Sequence, residues 1–432
     1  MTGLVDCNNF FVSCERTVHP ELIGKAVVVL SNNDGCIIAR SNEAKALGIR
    51  MGQPFFEVKD MVRSGKLTAL SGHHQMYQAI SRQVHDIFHR YVPRCIDYSI
   101  DEAFLDFSGF PVAELEYIGT HLANACMEEA RIPVTVGIAP TKTLAKLVTH
   151  CCKRSGRNVG VAASASELDA TLRQIAVNEI WGIGRRLGKR LYASGIFTAD
   201  QLAAKDVGWV RASMGVVGER LWRELHGEPC VELEALDRIE QEMISHTRTF
   251  PSDTDDYEYI RERVCWFAEQ CASKMRQMKA RCRRIEVFLR GNRFNDSTAW
   301  FRPSAAATFA LPTADAGEII TAALRLLDSI FDPDALVKRA GVMLSEFSYA
   351  RAYTPSLFEA PAKELKRRNS MPLQKAIDEI NKRYPRCCSS AATHSIDNSK
   401  PLSGYEKENL EARKLVFGGA SHECIDPRIF PV

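Results

Sequence analysis

The sequence predicts a multidomain α+β protein, and three observations lead to that class. The chain has 432 residues and 45% of them are hydrophobic, so it can bury several cores. Residues 1–163 alternate short apolar strands with helical segments, whereas residues 164–232 are almost wholly helical in pattern. Residues 244–350 mix helices with β-rich runs such as Arg284–Leu289. Three or four domains are therefore expected.

Two segments lack the apolar pattern of a folded domain. Residues 233–243 are a charged connector. Residues 351–432 are rich in Ser, Asn and Lys and carry few apolar clusters. Such a composition buries too little apolar surface to offset the entropy of ordering the chain. A linker and a weakly ordered C-terminal tail are therefore predicted.

Cysteine usage and charge narrow the class of protein. The 14 cysteines include no Cys-x-x-Cys pair, and no leader or long apolar stretch is present. These features predict reduced thiols, a cytoplasmic protein and no membrane partner. The net charge of +3 says little about nucleic acid. Between Lys274 and Arg302, however, nine basic residues stand against two acidic ones, a local charge of +7 that suits a nucleic-acid contact.

Three carboxylates stand at the ends of short apolar segments. Asp6 follows Leu4 and Val5, while Asp101 and Glu102 lie between two apolar runs in a pattern typical of a β-hairpin tip. If the two elements are neighbours in one sheet, the three acids converge. Clustered carboxylates repel one another and bind divalent cations, and their oxygen atoms suit Mg²⁺ and two-metal phosphoryl transfer. The alternative is that they are solvated turn residues.

The segments around these acids resemble those of a known family. Cys7–Phe11 (CNNFF) follows Asp6, and Thr135–Ala139 (TVGIA) forms a further strand. The runs Ser31–Gly48 (SNNDGCIIARSNEAKALG) and Trp181–Arg186 (WGIGRR) complete the set. In that order they resemble the Y-family translesion DNA polymerases, in particular the UmuC branch, the catalytic subunit of the bacterial SOS mutagenesis polymerase. The resemblance covers about residues 1–350.

The resemblance implies the fold of a right-hand polymerase. Residues 1–163 would be the palm with a small helical fingers insert at about residues 24–71, and residues 164–232 a helical thumb with a helix-hairpin-helix. Residues 244–350 would be the little finger. The implied function is template-directed, Mg²⁺-dependent, error-prone DNA synthesis past lesions in the SOS response. The implied partners are primer-template DNA, deoxynucleoside triphosphates, the processed UmuD dimer, RecA and the sliding clamp.

The same resemblance assigns roles around the acids. Asp6 and Asp101 would bridge two Mg²⁺ ions with the backbone carbonyl of Cys7, and Glu102 would complete the primer-side metal. Phe11 maps onto the steric gate that excludes ribonucleotides, and Phe10 is expected to be its core neighbour. The remaining candidate nucleotide contacts are Asn42, which replaces a phosphate-contacting tyrosine of many members, and the cations Lys45 and Lys153.

Two basic segments are candidate DNA contacts. The glycines of Gly182-Ile183-Gly184 permit a tight turn that presents backbone N–H groups to a phosphate oxygen. A simple helix cap is the alternative interpretation of that turn. The candidates in the thumb are completed by Arg185, Arg186 and Lys189, and those in the little finger are Arg283, Arg284 and Arg290.

Other assignments remain to be tested. Leu357 and Phe358 stand where UmuC-type chains carry a sliding-clamp peptide, although its usual glutamine is replaced. The clusters His73–His74 and His150–Cys152 lack a second half with zinc-ligand spacing and are set aside. A catalytically poor DNA-binding factor that regulates recombination filaments is the alternative function, and a nucleotidyl cyclase is a third. The clustered acids argue against a DNA-binding factor without catalytic activity, and the basic segments argue against a nucleotidyl cyclase.

Overall fold

The structure is a computed structural model that describes residues 1–31, 35–230, 241–292, 301–349 and 372–380. It separates into two compact units, one within Met1–Ile239 and one within Glu240–Pro401. Both combine helices with sheets, so the predicted α+β class is confirmed. In the described ranges, no helix is both long enough and apolar enough to cross a membrane.

The first unit contains two sheets and ten α-helices among its described residues. In chain order its elements are β1 (Thr2–Cys7), α1 (Phe10–Val18), β2 (Val27–Leu30), β3 (Ile37–Arg40), α2 (Asn42–Ala46), α3 (Lys59–Arg63), β4 (Thr68–Ser71), α4 (His74–Tyr91), β5 (Cys95–Asp97), β6 (Glu102–Asp106), α5 (Val112–Ala130), β7 (Val134–Ala139), α6 (Lys142–Ser155), β8 (Val159–Val161), α7 (Ala165–Arg173), α8 (Arg185–Ala193), α9 (Ala199–Ala203) and α10 (Val207–Leu225).

The larger sheet, with strand order β5-β6-β1-β7-β8, is covered on both faces. Side chains alternate between the faces of a strand, so neighbours along β1 enter different cores. Leu4 packs with residues of α6, whereas Val5 packs in the core that contains residues of α4 and α5. By the same alternation, Asp6 and Glu102 point to the α6 side of the sheet.

The fingers insert is not the small helical element that was expected. The β-branched run Val27–Val29 forms a central strand, and the sheet order is β3-β2-β4. Val28, Ile37 and Leu67 form part of a separate core beside this sheet. The short helices expected after Gly48 are present as the 3₁₀ turn Phe55–Val58 and α3, but the parallel pairing of β4 with β2, which the sequence did not indicate, adds a sheet to them.

The thumb segment, residues 164–232, is helical as expected over its described part. Its core includes Ile175, Ile180 and Leu191. The first helix of the predicted helix-hairpin-helix is only a 3₁₀ turn, Val177–Glu179, and the second is α8. The motif is therefore a tight turn that leads into one basic helix.

The second unit is a four-stranded antiparallel sheet with two helices. Its elements are β9 (Met243–Thr254), α11 (Tyr257–Gln277), β10 (Ala280–Arg290), β11 (Ser304–Thr313), α12 (Ala316–Ile330) and β12 (Val337–Tyr349). The strand order is β11-β10-β12-β9. Ile285 and Val287 pack against α11 and α12 on one face. The opposite face is not covered by these helices and is called the open face below.

Part of the predicted tail is folded. Residues 372–380 form a helix that binds this second unit. The guanidinium of Arg276 donates two hydrogen bonds of 2.7 Å to the carboxylate of Asp378, and Gln374 Nε2 donates to Asp315 at 2.8 Å. Arg276, whose side chain is 6% exposed, gains a bidentate partner there. The tail prediction is therefore wrong for these residues, and the rest of the tail lies outside the described residues.

Candidate active site and DNA-binding surfaces

The three acidic residues Asp6, Asp101 and Glu102 lie at one end of the larger sheet. β5 and β6 form the predicted hairpin, and β6 pairs with β1 so that Asp6 lies opposite Glu102. Asp101 immediately precedes β6, and its carbonyl oxygen accepts a 2.9 Å hydrogen bond from the Cys7 N–H. Ser99 Oγ donates to the Asp101 carboxylate at 2.6 Å. The predicted juxtaposition of the two elements is confirmed. Asp6, Asp101 and Glu102 are called the carboxylate cluster below.

Two lysines of α6 neutralise the carboxylate cluster. Lys146 and Lys153 are seven residues apart and therefore lie on one face of the helix, two turns from each other. Lys153 Nζ donates to Asp6 Oδ1, and Lys146 Nζ donates to both Glu102 oxygens at 2.8 Å. Lys153 was expected to bind a nucleotide, whereas Lys146 was missed. Its spacing from Lys153 was the available signal.

Aromatic rings hold Lys146 in place. Its ammonium lies 5.3 Å from the ring centre of Tyr98 and 5.8 Å from that of Trp181. Tyr98 belongs to the β5–β6 turn, and Trp181 belongs to the predicted DNA-binding turn of the thumb. Both contacts are favourable cation–π interactions. Lys146 therefore connects Glu102 to two other elements of the same unit.

The electrostatics of the cluster fit a divalent cation. Burial raises the pKa of Asp6 to about 7, Lys153 opposes that rise and the charge of Glu102 adds to it. The Asp6 and Glu102 side chains are 18% and 16% exposed. Lys146 and Lys153 offset the charge of these two acids, and their all-oxygen donor set also suits a hard divalent cation. The Cys7 thiol is buried, and burial raises its pKa well above the usual range, so only its backbone could contribute.

A basic group of residues lies near the start of α1. Lys45 Nζ donates to Asn9 Oδ1 at 2.6 Å and to Asn42 Oδ1 at 3.3 Å, so two predicted nucleotide contacts lie together. Burial lowers the pKa of Lys45, and the nearby charges of Arg40 and Lys153 lower it further. Asn9 adopts a left-handed conformation with φ of 50° as the N-cap of α1, and its side chain does not cap the helix. The helix N-terminus and these cations favour an anion.

Phe10 and Phe11 have different surroundings, as predicted. Phe10 is 4% exposed and belongs to the core, whereas Phe11 is only partly buried against it. The Phe11 ring stacks on Tyr77 with centroids 4.5 Å apart and meets His74 edge-on at 5.6 Å. Tyr77 is itself fixed, because its hydroxyl donates to the buried carboxylate of Glu15.

The thumb candidates separate into an anchor and an exposed group. Ile183 is 6% exposed and packs into the thumb core, while Gly182 has a φ of 93° that favours glycine. Gly184 is the N-cap of α8 and, lacking a side chain, leaves the helix N-terminus uncapped. The basic side chains of Arg185, Arg186 and Lys189 are exposed, as is that of Arg190.

The little-finger candidates do not form one group. Arg284 and Arg290 are in phase along β10 with Phe288, on the open face, whereas Arg283 lies at the irregular step between Cys282 and Arg284 in the β10–β11 pairing. The Arg290 guanidinium lies 4.6 Å from the ring centre of Phe288. Burial lowers the pKa of Arg290, and the charges of Arg302 and Arg339 contribute in the same direction.

The register adds one basic residue that the sequence did not indicate. Arg339 of β12 lies opposite Arg290, and its Nη2 donates to Thr247 Oγ1 at 2.7 Å. Arg284, Arg290 and Arg339 therefore form a basic open face on the sheet. Leu357 and Phe358, the clamp candidates, lie outside the described residues.

Two solved structures are similar to this chain in fold. The structure titled Y-family DNA polymerase chimera Dbh-Dpo4(243-245)-Dbh matches with a TM-score of 0.66 and 23% identity, over 81% of this chain and 99% of its own. The insertion ternary complex of Dbh DNA polymerase matches with a TM-score of 0.52 and 22% identity, over 81% and 99%. The fold is that of a Y-family DNA polymerase.

Sequence comparisons identify the family. Residues 5–150 match the impB/mucB/samB family, and residues 241–357 match the impB/mucB/samB family C-terminal domain. Protein UmuC of Salmonella typhimurium (strain LT2) is 38% identical over 385 residues, 88% of this chain and 90% of that protein. DNA polymerase IV of Desulfatibacillum aliphaticivorans is 29% identical over 388 residues, 88% and 93% of the two chains. The chain belongs to the impB/mucB/samB family.

The family and fold together define the activity. The protein is a DNA-directed DNA polymerase of the error-prone, translesion type. Polymerases of this kind use divalent metal ions and act on primer-template DNA with nucleoside triphosphates. The alternative of a catalytically poor DNA-binding factor is not favoured.

Proposed function

We propose that Asp6, Asp101 and Glu102 hold two Mg²⁺ ions and that the chain uses them to extend a primer opposite damaged template in the SOS response. One observation carries this proposal: Asp6 lies opposite Glu102 on neighbouring strands, with Asp101 one residue away. Carboxylate oxygens at one end of the palm sheet of a polymerase suit divalent cations, and Lys146 and Lys153 balance part of their charge. When bound, the ions would activate the primer 3′-hydroxyl and neutralise charge on the triphosphate.

The residues of the chain would prepare both reactants. Ser99 fixes the Asp101 carboxylate, and Lys146 fixes both oxygens of Glu102. Lys45 and Lys153 would bind phosphate oxygens together with the N-terminus of α1. Such pre-positioned charges stabilise a transition state without reorganising during the reaction.

The sugar of the incoming nucleotide would be selected by Phe11. Its ring would occupy the space of a ribose 2′-hydroxyl, so deoxynucleotides would be preferred. The stacked Tyr77, which is bonded to Glu15, supports Phe11 from behind. A gate ring that packs against Tyr77 and His74 cannot relax away from an added hydroxyl.

The DNA would be held by phosphate contacts. We propose that the turn Gly182–Gly184 and the basic residues that follow it bind one part of the backbone, and that Arg284 and Arg290 bind another. On the likeness to UmuC proteins, we further propose partnership with a processed UmuD dimer and RecA in the bacterial cytoplasm. Leu357 and Phe358 would anchor a sliding-clamp peptide.

Primer extension by the purified full-length protein tests the active site. Asp101→Ala should reduce the rate by about 10³-fold or more while leaving primer-template binding within about two-fold. Chelation with EDTA should abolish extension, and Mg²⁺ should restore it. The matched control is Asp106→Asn, because Asp106 lies at the other end of the same strand, where its carboxylate accepts a hydrogen bond from the Ser108 N–H.

The outcomes distinguish the loss of an active-site residue from the loss of the fold. Extension by Asp101→Ala within a few-fold of the wild-type rate would show that the carboxylate cluster is not the active site. An equal loss of activity in Asp106→Asn would show that β6 tolerates no change, and Asp6→Asn, on β1, would then be the deciding variant.

A further inference from the structure

A second group of metal-ligating side chains lies at the edge of the larger sheet, where β5 faces α4. It consists of His89, Cys95 and Asp97, and none of them belongs to the carboxylate cluster. One ligand atom from each residue lies within 4.8 Å of the other two. His89 Nε2 is 3.2 Å from Asp97 Oδ1. Nitrogen, sulfur and oxygen donors therefore converge on one point.

The secondary structure explains how these residues meet. Cys95 and Asp97 are two residues apart on β5 and therefore lie on one side of the strand. His85 and His89 are four residues apart and lie on one face of α4. β5 is the edge strand of its sheet, so α4 reaches it without an intervening strand.

His85 completes the arrangement from the buried side. Its side chain is 8% exposed, and Nδ1 lies 2.7 Å from the same Asp97 oxygen that His89 approaches. A carboxylate that binds a metal is commonly oriented by a second hydrogen-bonding partner. His85 is placed to orient Asp97 and leave its other oxygen for a cation.

We propose that His89, Cys95 and Asp97 form a zinc site, with water as the fourth ligand and His85 as a positioning residue. Imidazole, thiolate and carboxylate together match Zn²⁺, whereas Mg²⁺ prefers an all-oxygen shell. Tetrahedral zinc places its ligand atoms about 3.4–3.8 Å apart. The three ligand atoms lie within 4.8 Å of one another, so side-chain rotations that move each atom by about an ångström would bring them to that spacing. Cys95 binds as thiolate, so binding releases its proton to solvent.

The site would connect α4 to the hairpin of the carboxylate cluster. Cys95 and Asp97 pair with Leu105 and Ala103 of β6, and the turn that carries Asp101 begins directly after Asp97. Ser81 Oγ of α4 already donates to the Ile100 carbonyl at 2.6 Å. Zinc would add a second connection between the same two elements. The effect of this connection on catalysis rests on the proposed function, whereas zinc binding itself does not.

Metal titration of the full-length protein tests the site. After chelation and dialysis, the wild type should bind one equivalent of Zn²⁺ that excess Mg²⁺ does not displace. Co²⁺ should bind in its place and give a thiolate-to-cobalt charge-transfer band. Zn²⁺ should also raise Tm by about 2 °C or more, because it binds only the folded state.

Variants identify the ligands. Cys95→Ser should abolish the charge-transfer band, and His89→Gln should weaken Zn²⁺ binding by at least about 10-fold. His85→Phe should weaken it by about 10- to 100-fold without removing the band, as expected of a positioning residue. Cys151→Ser, which changes a cysteine of the discounted His150–Cys152 cluster, is the matched control and should behave as wild type.

Two results would overturn the proposal. The first is a wild-type protein that binds no Zn²⁺ at micromolar concentration. The second is Zn²⁺ binding that Asp101→Asn abolishes and His89→Gln does not, since that places the ion at the carboxylate cluster. His89 has a half-exposed side chain, so His89→Gln remains informative if Cys95→Ser fails to fold.

Discussion

The carboxylate cluster and the open face of the little finger use charge in opposite ways. The cluster concentrates three acids from two adjacent strands, and two lysines of one helix neutralise two of them. The open face spreads its arginines over β10 and β12. Positioning of reacting groups requires a dense, partly buried charge arrangement, whereas binding of a uniform phosphate backbone requires separate, exposed charges.

The two regions should therefore respond differently to substitution. A change in the cluster should alter the rate of the chemical step and leave DNA affinity nearly unchanged. A change on the open face should alter DNA affinity and its salt dependence and leave the chemical step nearly unchanged. The Lys146 and Arg284 variants below test the two sides of this difference.

After that of Asp101→Ala, a large effect is expected for Lys146 of α6. Lys146→Met should lower kcat/KM by about 10- to 100-fold, because Glu102 loses the group that orients both its oxygens. Lys146→Arg should retain most activity, since a cation remains in place. Single-turnover extension and DNA-binding titrations measure the two quantities. A fall in DNA affinity with an unchanged rate of the chemical step would show that Lys146 binds DNA and does not act through Glu102.

The steric gate should give an effect of similar size on the choice of sugar. Phe11→Ala should raise ribonucleotide incorporation relative to deoxynucleotide incorporation by about 10- to 200-fold, because space opens where the 2′-hydroxyl must lie. Phe10→Ala should instead lower the free energy of unfolding by about 3–5 kcal/mol, since it empties a core position. Competition between the two sugars and thermal denaturation distinguish the variants. Unchanged sugar discrimination in Phe11→Ala would refute the gate.

The open face should show a smaller effect that depends on salt. Arg284→Ala should reduce the slope of log affinity against log salt by about one, because one phosphate contact is lost. Arg283→Ala is the neighbouring control and should change the slope by less than half as much. Primer-template titrations over a salt series measure both. Equal slopes for the two variants would mean that the face of β10 on which an arginine lies does not determine whether it contacts a phosphate.

The smallest effect on basal activity is expected from the clamp candidates. Replacing Leu357 and Phe358 with alanine should leave distributive extension unchanged and remove its stimulation by a loaded sliding clamp, because paired apolar anchors supply most of the affinity of such peptides. Product length with and without the clamp is the measurement. Stimulation equal to wild type would assign the contact to another segment.

Local pattern was sufficient for several features. The alternation of apolar residues predicted β1 and the β5–β6 hairpin, and the position of the acids at strand ends predicted that Asp6 would lie beside the hairpin tip. Phe10 was expected in the core and is buried there. Such features depend on near neighbours in sequence, and the period of two fixes the face on which each side chain lies.

Other features depended on tertiary contacts. The sequence did not indicate that Lys146 meets Glu102, that Arg339 lies opposite Arg290, or that residues 372–380 form a helix bound to Arg276. It also did not indicate the group His89, Cys95 and Asp97, whose members lie on a helix and an edge strand. Each of these contacts joins separate elements, so its existence depends on sheet order and register. Periodicity fixes which face a residue occupies, but the packing of the whole chain decides what lies opposite that face.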